Sequence, residues 1–338
     1  MLSIIVALPG QASFPRQCME SLLTQTYADW EVLVFPYGAL PQWEHPDDDR
    51  VRISSKTEAS LTDALNAGIG QAKGEYILFL DPDTWLDEDA LAEWMELVQE
   101  DDLDLLRFSC IREYRTRNMV AKLPFVSQEV CRGEAVKIIC RQTVGLIESE
   151  LAYTERINGL SMANFCIYRK SVMDEHGLRF ENLADIKLFS DCLFNIAYLM
   201  KANSFRYLEA ALCHCETPQS YGLSPVYRES YLDRQCQFFQ KLRALAEENE
   251  DPSFLEAYRN RVIFSTLDIC LNVLKSGKDK KAQYKEFKLL RNSTEHRLAY
   301  KTLQLGKLPS AWKMYYFFAK YGLTRRLFAM TKTIRAYQ

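Results

Sequence analysis

The run Ile77-Leu78-Phe79-Leu80, ending at Asp81-Pro82-Asp83, constrains this chain more than any other stretch. Four consecutive apolar residues suit a strand covered on both faces, the kind found in parallel sheets packed between helices. The run stops at two carboxylates one residue apart. In open α/β sheets, ligands bind just beyond the carboxyl ends of the strands. Asp81 and Asp83 therefore stand where a diphosphate and a divalent cation are expected, and Pro82 stiffens the turn between them. Hard oxygen donors of this kind suit Mg²⁺ or Mn²⁺. The plainer alternative is an acidic turn ahead of a helix, whose positive end would favour Asp87, Glu88 and Asp89.

The flanking stretches alternate in the same style. Leu2 to Leu8 is a buried strand, and Cys18, Leu22 and Leu23 have helical spacing that ends near Gln25-Thr26-Tyr27. Trp30 to Phe35 is a second strand, Pro36-Tyr37-Gly38 a turn and Val51 to Ile53 a short third strand. Leu61, Ala64, Leu65 and Gly68 share one face of a helix running to Ala72, with Gly74 as its C-terminal cap. This βαββαβ order predicts a mostly parallel sheet flanked by helices. From Pro225 onward the pattern is helical, with single helices over Tyr284 to Leu305 and Ala311 to Tyr337. With 338 residues the chain exceeds one core and suggests a main domain plus an appendage.

Charge is unevenly spread. The net charge is -3, yet Lys301, Lys307, Lys313, Lys320, Arg325, Arg326, Lys332 and Arg335 follow Tyr300 with no Asp or Glu among them. Interleaved with Trp312, Tyr315, Tyr316, Phe317, Phe318 and Phe328, they suit an anionic membrane surface; the alternative is a helix packed on the rest of the protein. No apolar run approaches the ~20 residues of a membrane span, and no basic-then-apolar leader opens the chain. The ten cysteines fall on apolar stretches without Cys-x-x-Cys spacing, as expected of reduced core thiols. These features predict a cytoplasmic protein, or one peripheral at the inner face of the membrane. Nucleic acid is not an expected partner.

Several blocks together are specific. Ser3-Ile4-Ile5-Val6, Ser21-Leu22-Leu23-Thr24-Gln25-Thr26-Tyr27, Asp29-Trp30-Glu31-Val32, Asn66-Ala67-Gly68 and Ala72-Lys73-Gly74-Glu75-Tyr76 resemble family 2 glycosyltransferases of the GT-A fold, which build bacterial polysaccharides. Asp81-Pro82-Asp83 falls on the family's Asp-x-Asp metal motif. The resemblance departs at the nucleoside side. Where the family has Pro-x-Tyr-Asn, this chain has Ala7, Pro9 and Gly10; where it has an acidic residue before Gly-Ser, Pro36 and Tyr37 precede Gly38-Ala39. Leu65 replaces an Arg, and Thr84 replaces the last Asp of the metal motif. Pro9, Tyr37 and Asn66 are the positions left to line the donor. Tyr37 would either stack on a base or simply pack in its turn.

A second constellation resembles the family's acceptor block: Ala163 to Lys170, Gly177-Leu178-Arg179-Phe180 and Phe189-Ser190-Asp191 to Asn195. Asp191 holds the motif's aspartate, and Ser190 replaces its glutamate. An inverting sugar transfer needs a carboxylate to take the acceptor hydroxyl's proton; the alternative is that Ser190 or Asp191 only caps a helix. Glu181 and Asp185 read as loop carboxylates. Ala211 to Glu216, with Ser220 beyond, resembles a strand whose histidine serves some members as an extra metal ligand, here His214; a partly buried strand histidine is the alternative. Arg107 to Pro124 reads as a charged hairpin.

The resemblance implies an α/β GT-A domain over residues 1–222, with a nucleotide-sugar half at 1–110 and an acceptor half at 111–222, and a helical region at 223–338. It implies an inverting, metal-dependent hexosyltransferase using a nucleotide-diphosphate sugar, UDP-sugar favoured, and a saccharide or lipid-linked acceptor. Asp83 and His214 would hold Mn²⁺ or Mg²⁺, Asp81 would support the metal or donor ribose, and Asp191 would be the base. The rival is a transferase-like scaffold without activity, favoured by the lost nucleoside contacts and disfavoured by the survival of Asp81, Asp83, Asp191 and His214. A nucleotidyltransferase is unsupported, since no Gly-rich phosphate loop follows the first strand.

Overall fold

Two strands buried at every position but their last set the architecture: β1 (Leu2–Pro9) and β2 (Trp30–Tyr37). They pair in parallel from Leu2↔Trp30 to Pro9↔Tyr37. β3 (Val51–Ile53) joins β2, and β4 (Tyr76–Phe79) joins the other side of β1, both in parallel. The later strands are β5 (Thr84–Leu86), β6 (Leu105–Phe108), β7 (Ile111–Tyr114), β8 (Arg117–Val120), β9 (Cys131–Arg132), β10 (Cys166–Arg169), β11 (Ser204–Leu208) and β12 (Cys213–Glu216). The main sheet runs β3-β2-β1-β4-β10-β6-β11-β9, and β5-β12-β7-β8 form a second sheet. This is a computed structural model, and it describes all residues except 11–14, 40–46, 115–116, 184–185, 217–226 and 337–338.

The expected parallel arrangement holds from β3 to β4 and again between β6 and β11. β10 is inserted antiparallel to both β4 and β6, so the acceptor-block strand lies beside the strand that ends at Asp81. β7 and β8 form the expected hairpin, although Arg107 sits apart from it, buried in β6.

Helix ends follow local chemistry. α1 (Arg16–Leu23) stops before Gln25, whose amide donates to the Asp87 carbonyl at 2.6 Å and accepts from the Leu91 N–H at 3.0 Å. α2 (Leu61–Gln71) starts at a Ser60 cap that accepts from the Asp63 N–H. Gly74 does not cap it: the chain leaves the helix in extended conformation at Ala72. A Cβ on Gly74 would lie 2.7 Å from the Ser3 nitrogen and 2.8 Å from the Met1 oxygen, so glycine is needed there to pass close to β1. The remaining helices of this part are α3 (Ala90–Glu100), α4 (Glu134–Val144), α5 (Lys170–Glu175) and α6 (Lys187–Leu199).

The chain divides into two compact units, Met1–Cys140 with Ser161–Thr217, and Arg141–Leu160 with Pro218–Gln338. The second is helical: α7 (Tyr231–Glu247), α8 (Pro252–Lys275), α9 (Lys280–Asn292), α10 (Thr294–Thr302), α11 (Ser310–Lys320) and α12 (Thr324–Ala336). The two long helices expected at its end are each broken. Ser293 turns extended and caps α10, and Gly322 adopts φ +66° between α11 and α12. Arg261 donates to the carbonyls of Thr143, Val144 and Ile157, fixing residues 141–160 within the helical unit. No helix among the described residues is long and apolar enough to cross a membrane.

Candidate active site

β4 delivers its terminal carboxylate to a defined place. The Leu80 N–H donates to the Ile5 carbonyl at 3.0 Å, prolonging the ladder by one residue. Asp81 then leaves the sheet edge, and the Thr84 N–H closes the turn onto its carbonyl at 3.0 Å. The Asp81 side chain accepts from Lys187 Nζ on both oxygens, at 2.7 and 2.6 Å, and from Asn164 Nδ2 at 2.8 Å. Lys187 is the first residue of α6, and Asp191 follows one turn later on the same face. Lys187 Nζ lies 3.8 Å from Asp191 Oδ2, which also accepts from the Ala163 N–H at 3.2 Å. One ammonium thus joins the carboxylates of the two sequence blocks.

Asp191 does not cap its helix. Ile186 holds the cap position without a side-chain bond, and the Ser190 hydroxyl donates to the Glu181 carbonyl at 2.7 Å. Asp191 is 1% exposed, and among the described residues its Oδ1 and the Asn164 Oδ1 are buried without a partner. Burial pushes Asp191 up to about 6 against the opposing pull of Lys187. Burial would lower the Lys187 ammonium, but Asp81 and Asp191 outweigh it and hold the group well above its usual value. Asp83 reaches solvent, yet the packing around it and the Asp81 charge lift it to about 6. Its carboxylate has no side-chain partner among the described hydrogen bonds and ion pairs.

The other expected residues are placed unequally. Tyr37, paired with Pro9 at the end of β2, is raised by burial and then by the Asp81 charge, which puts it near the cluster. Asn66 has both ends of its amide occupied: it donates to the Phe180 carbonyl and accepts from the Phe180 N–H, each at 2.8 Å. It clamps α2 to the loop before α6, with one amide N–H and one oxygen lone pair engaged in the clamp. His214 lies 2.8 Å from Glu113 Oε1 through Nδ1 and 3.1 Å from Asp87 Oδ1 through Nε2, with its ring stacked on Trp85. β12 meets Asp83 through the backbone, where the Glu216 N–H donates to its carbonyl at 3.0 Å. Among the described contacts none joins the His214 ring to Asp81 or Asp83, and no cluster of three or more His, Cys, Asp or Glu side chains is poised for a metal. Asp185 and Ser220 lie outside the described residues.

Sequence reasoning missed Lys187 and Asn164. The lysine's spacing of four from Asp191 was the available signal; Asn164 stands inside the acceptor block, but nothing local points it to Asp81, 83 residues away.

A large mixed α/β sheet flanked by helices is the GT-A fold. Over residues 3–123 the chain matches the model described as Glycosyl transferase family 2. It is similar to EpsH of Bacillus subtilis (strain 168), which bears a provisional glycosyltransferase name, with 23% identity over 77% of this chain and 72% of that protein. It is also similar to the uncharacterized glycosyltransferase YibD of Escherichia coli (strain K12), with 31% identity over 33% of this chain and 35% of YibD. Among solved structures, S. aureus TarS 1-349 in complex with UDP superposes with TM-score 0.62 at 14% identity, covering 100% of this chain and 92% of that one. At that identity the likeness concerns the fold.

Proposed function

We propose that this protein transfers a sugar, with inversion, from a nucleotide-diphosphate sugar to a saccharide or lipid-linked saccharide in surface polysaccharide synthesis. The observation that carries this reading is the Lys187 bridge, which brings Asp81 of the donor block and Asp191 of the acceptor block to one place. A uridine donor is supported by the TarS structures, which hold UDP and UDP-GlcNAc. Polysaccharide synthesis is supported by the similarity to the chondroitin synthase and the hyaluronan synthase of Pasteurella multocida, each 33% identical over 27% of this chain and 10% of that protein.

Asp191 Oδ1, free of other hydrogen bonds, takes the acceptor hydroxyl's proton as that oxygen attacks the anomeric carbon and the bond to the diphosphate breaks. Its burial keeps bulk water from competing for the proton. Asp83 fits a divalent cation, being a hard oxygen donor with no cationic side chain bonded to it. When bound, the cation supplies charge neutralisation for the leaving diphosphate. His214 would join it only by releasing Asp87 or Glu113. Tyr37 and Pro9 border the donor side. In the helical unit, exposed Met314, Phe317 and Tyr321 beside Lys313 support contact with an anionic membrane carrying the acceptor.

The test compares the parent protein with Asp83→Ala and Asp191→Ala in a panel of nucleotide sugars, with UDP binding followed by calorimetry in Mn²⁺. Asp83→Ala should lose both metal-dependent UDP heat and turnover. Asp191→Ala should keep the heat and lose roughly 10²–10⁴-fold in transfer. Equal activity in all three proteins would remove these roles, and a parent with no metal-dependent heat would favour the scaffold.

A further inference from the structure

We propose that Lys187 is a positioning residue that withholds Asp81 from the cation, so that of the Asp81-Pro82-Asp83 pair only Asp83 is a direct ligand. Both Asp81 oxygens are already engaged, by one ammonium at 2.7 and 2.6 Å and by the Asn164 amide at 2.8 Å. A cation at Asp81 would have to displace that ammonium or share oxygens with it against like-charge repulsion. Lys187 is itself pinned from two sides, since Asp191 stands 3.8 Å away on the next turn of α6. The lysine side chain is 23% exposed and that of Asp81 20%, so solvent screens the pair only in part. The same ammonium keeps the buried Asp191 beside a positive charge, and this makes Lys187 the link between the donor and acceptor sides of the site.

The consequence separates two quantities that a merely structural role would move together. Replacing Lys187 with a neutral residue frees Asp81 to reach the cation, so cation binding tightens. At the same time Asp81 and Asp191 lose their shared anchor, so transfer falls. General loss of structure would weaken both.

This inference rests on the catalytic reading above, but its test is independent of turnover. Mn²⁺ alone, and Mn²⁺ with UDP, are titrated by calorimetry into the full chain and its folded variants. Lys187→Met should bind Mn²⁺ roughly tenfold more tightly, the order expected when the freed Asp81 carboxylate joins Asp83 at the cation. Asp81→Asn in the parent should leave Mn²⁺ affinity within about twofold, and adding Asp81→Asn to Lys187→Met should cancel the gain. Lys187→Arg, which keeps the charge, should retain parent-like Mn²⁺ affinity and recover part of the transfer rate. If Lys187→Met fails to fold, Lys187→Gln replaces it. Unchanged or weaker Mn²⁺ binding in the folded neutral variant would overturn the proposal, as would a gain that survives Asp81→Asn. A tightened Mn²⁺ affinity in a protein that transfers no sugar would leave Lys187 as assigned and sink the enzymatic reading instead.

Discussion

Asp191 is destabilising where it sits. Its carboxyl is buried and titrates near 6 in the folded chain, against an ordinary value of 3.8. The folded state therefore binds the proton more tightly than the unfolded chain, and stability falls as pH rises from about 4 to about 6. Asp191→Asn should stabilise the protein by up to about 3 kcal/mol at pH 8, since the rise from 3.8 to about 6 corresponds to ~3 kcal/mol with the attraction to Lys187 already included. At pH 4 it should change little, and at every pH it should cost transfer. Denaturant unfolding at the two pH values checks this; equal effects at both would show that ionisation is not the cause. The carboxylates themselves were legible because each sits in a recognisable block. Their partners were not. Lys187 meets Asp81 across 106 residues, and a lysine opening a helix reads as a solvated one. The resemblance makes His214 a metal ligand beside Asp83, with a partly buried strand histidine as the alternative; strand register sets it opposite Trp85, and its nitrogens meet Glu113 and Asp87. That register belongs to the second sheet, which no local pattern announces.

At the scale of elements, the first half was readable because buried strands and an amphipathic helix carry their own periodicity. Val51–Ile53 and the start of α2 at Leu61 fall where the pattern puts them. What failed was the reason for Gly74. A glycine after a helix suggests a cap, whereas here it answers to the backbone of β1, far earlier in the chain. Two substitutions in the same stretch should consequently have opposite signs. Gly74→Ala places a methyl within 2.8 Å of β1 backbone atoms and should destabilise by roughly 1–3 kcal/mol. Gly70→Ala, within α2 and facing open space, should stabilise by up to about 1 kcal/mol. Denaturant midpoints shifting in these directions at constant m-value would confirm it; a harmless Gly74→Ala would mean that β1 and this turn part easily. The breaks at Ser293 and Gly322 were missed because continuous helical spacing runs through both, and only the backbone turn at each reveals the split.

For the whole molecule, the helical unit holds a buried histidine and a half-buried aspartate whose pH effects oppose each other. His296 is 0% exposed, bonded to Ser293 Oγ at 2.8 Å and Ser265 Oγ at 3.2 Å, and burial lowers it from 6.5 to about 3. The unfolded chain binds its proton more readily, so this contribution to stability is lost as pH falls below 6.5. Asp268 is pushed the other way by burial, from 3.8 to about 7, with Lys275 and Arg261 pulling against it. Its folded state binds the proton more tightly, so its contribution grows as pH falls through 7. Between pH 7 and 5 each effect is worth about 2 kcal/mol, and in the intact protein they largely cancel. Neither was visible in the sequence, where a histidine and an aspartate at helical spacing look like solvated surface, and residues 141–160 gave no sign of joining this unit rather than the sheet. Removing one group should expose the other. His296→Gln should make the helical unit more stable at pH 5 than at pH 7, and Asp268→Asn should make it less stable. Hydrogen exchange of peptides from α8 and α10 reads this directly, and parallel pH responses in the two variants would mean that other groups govern the unit.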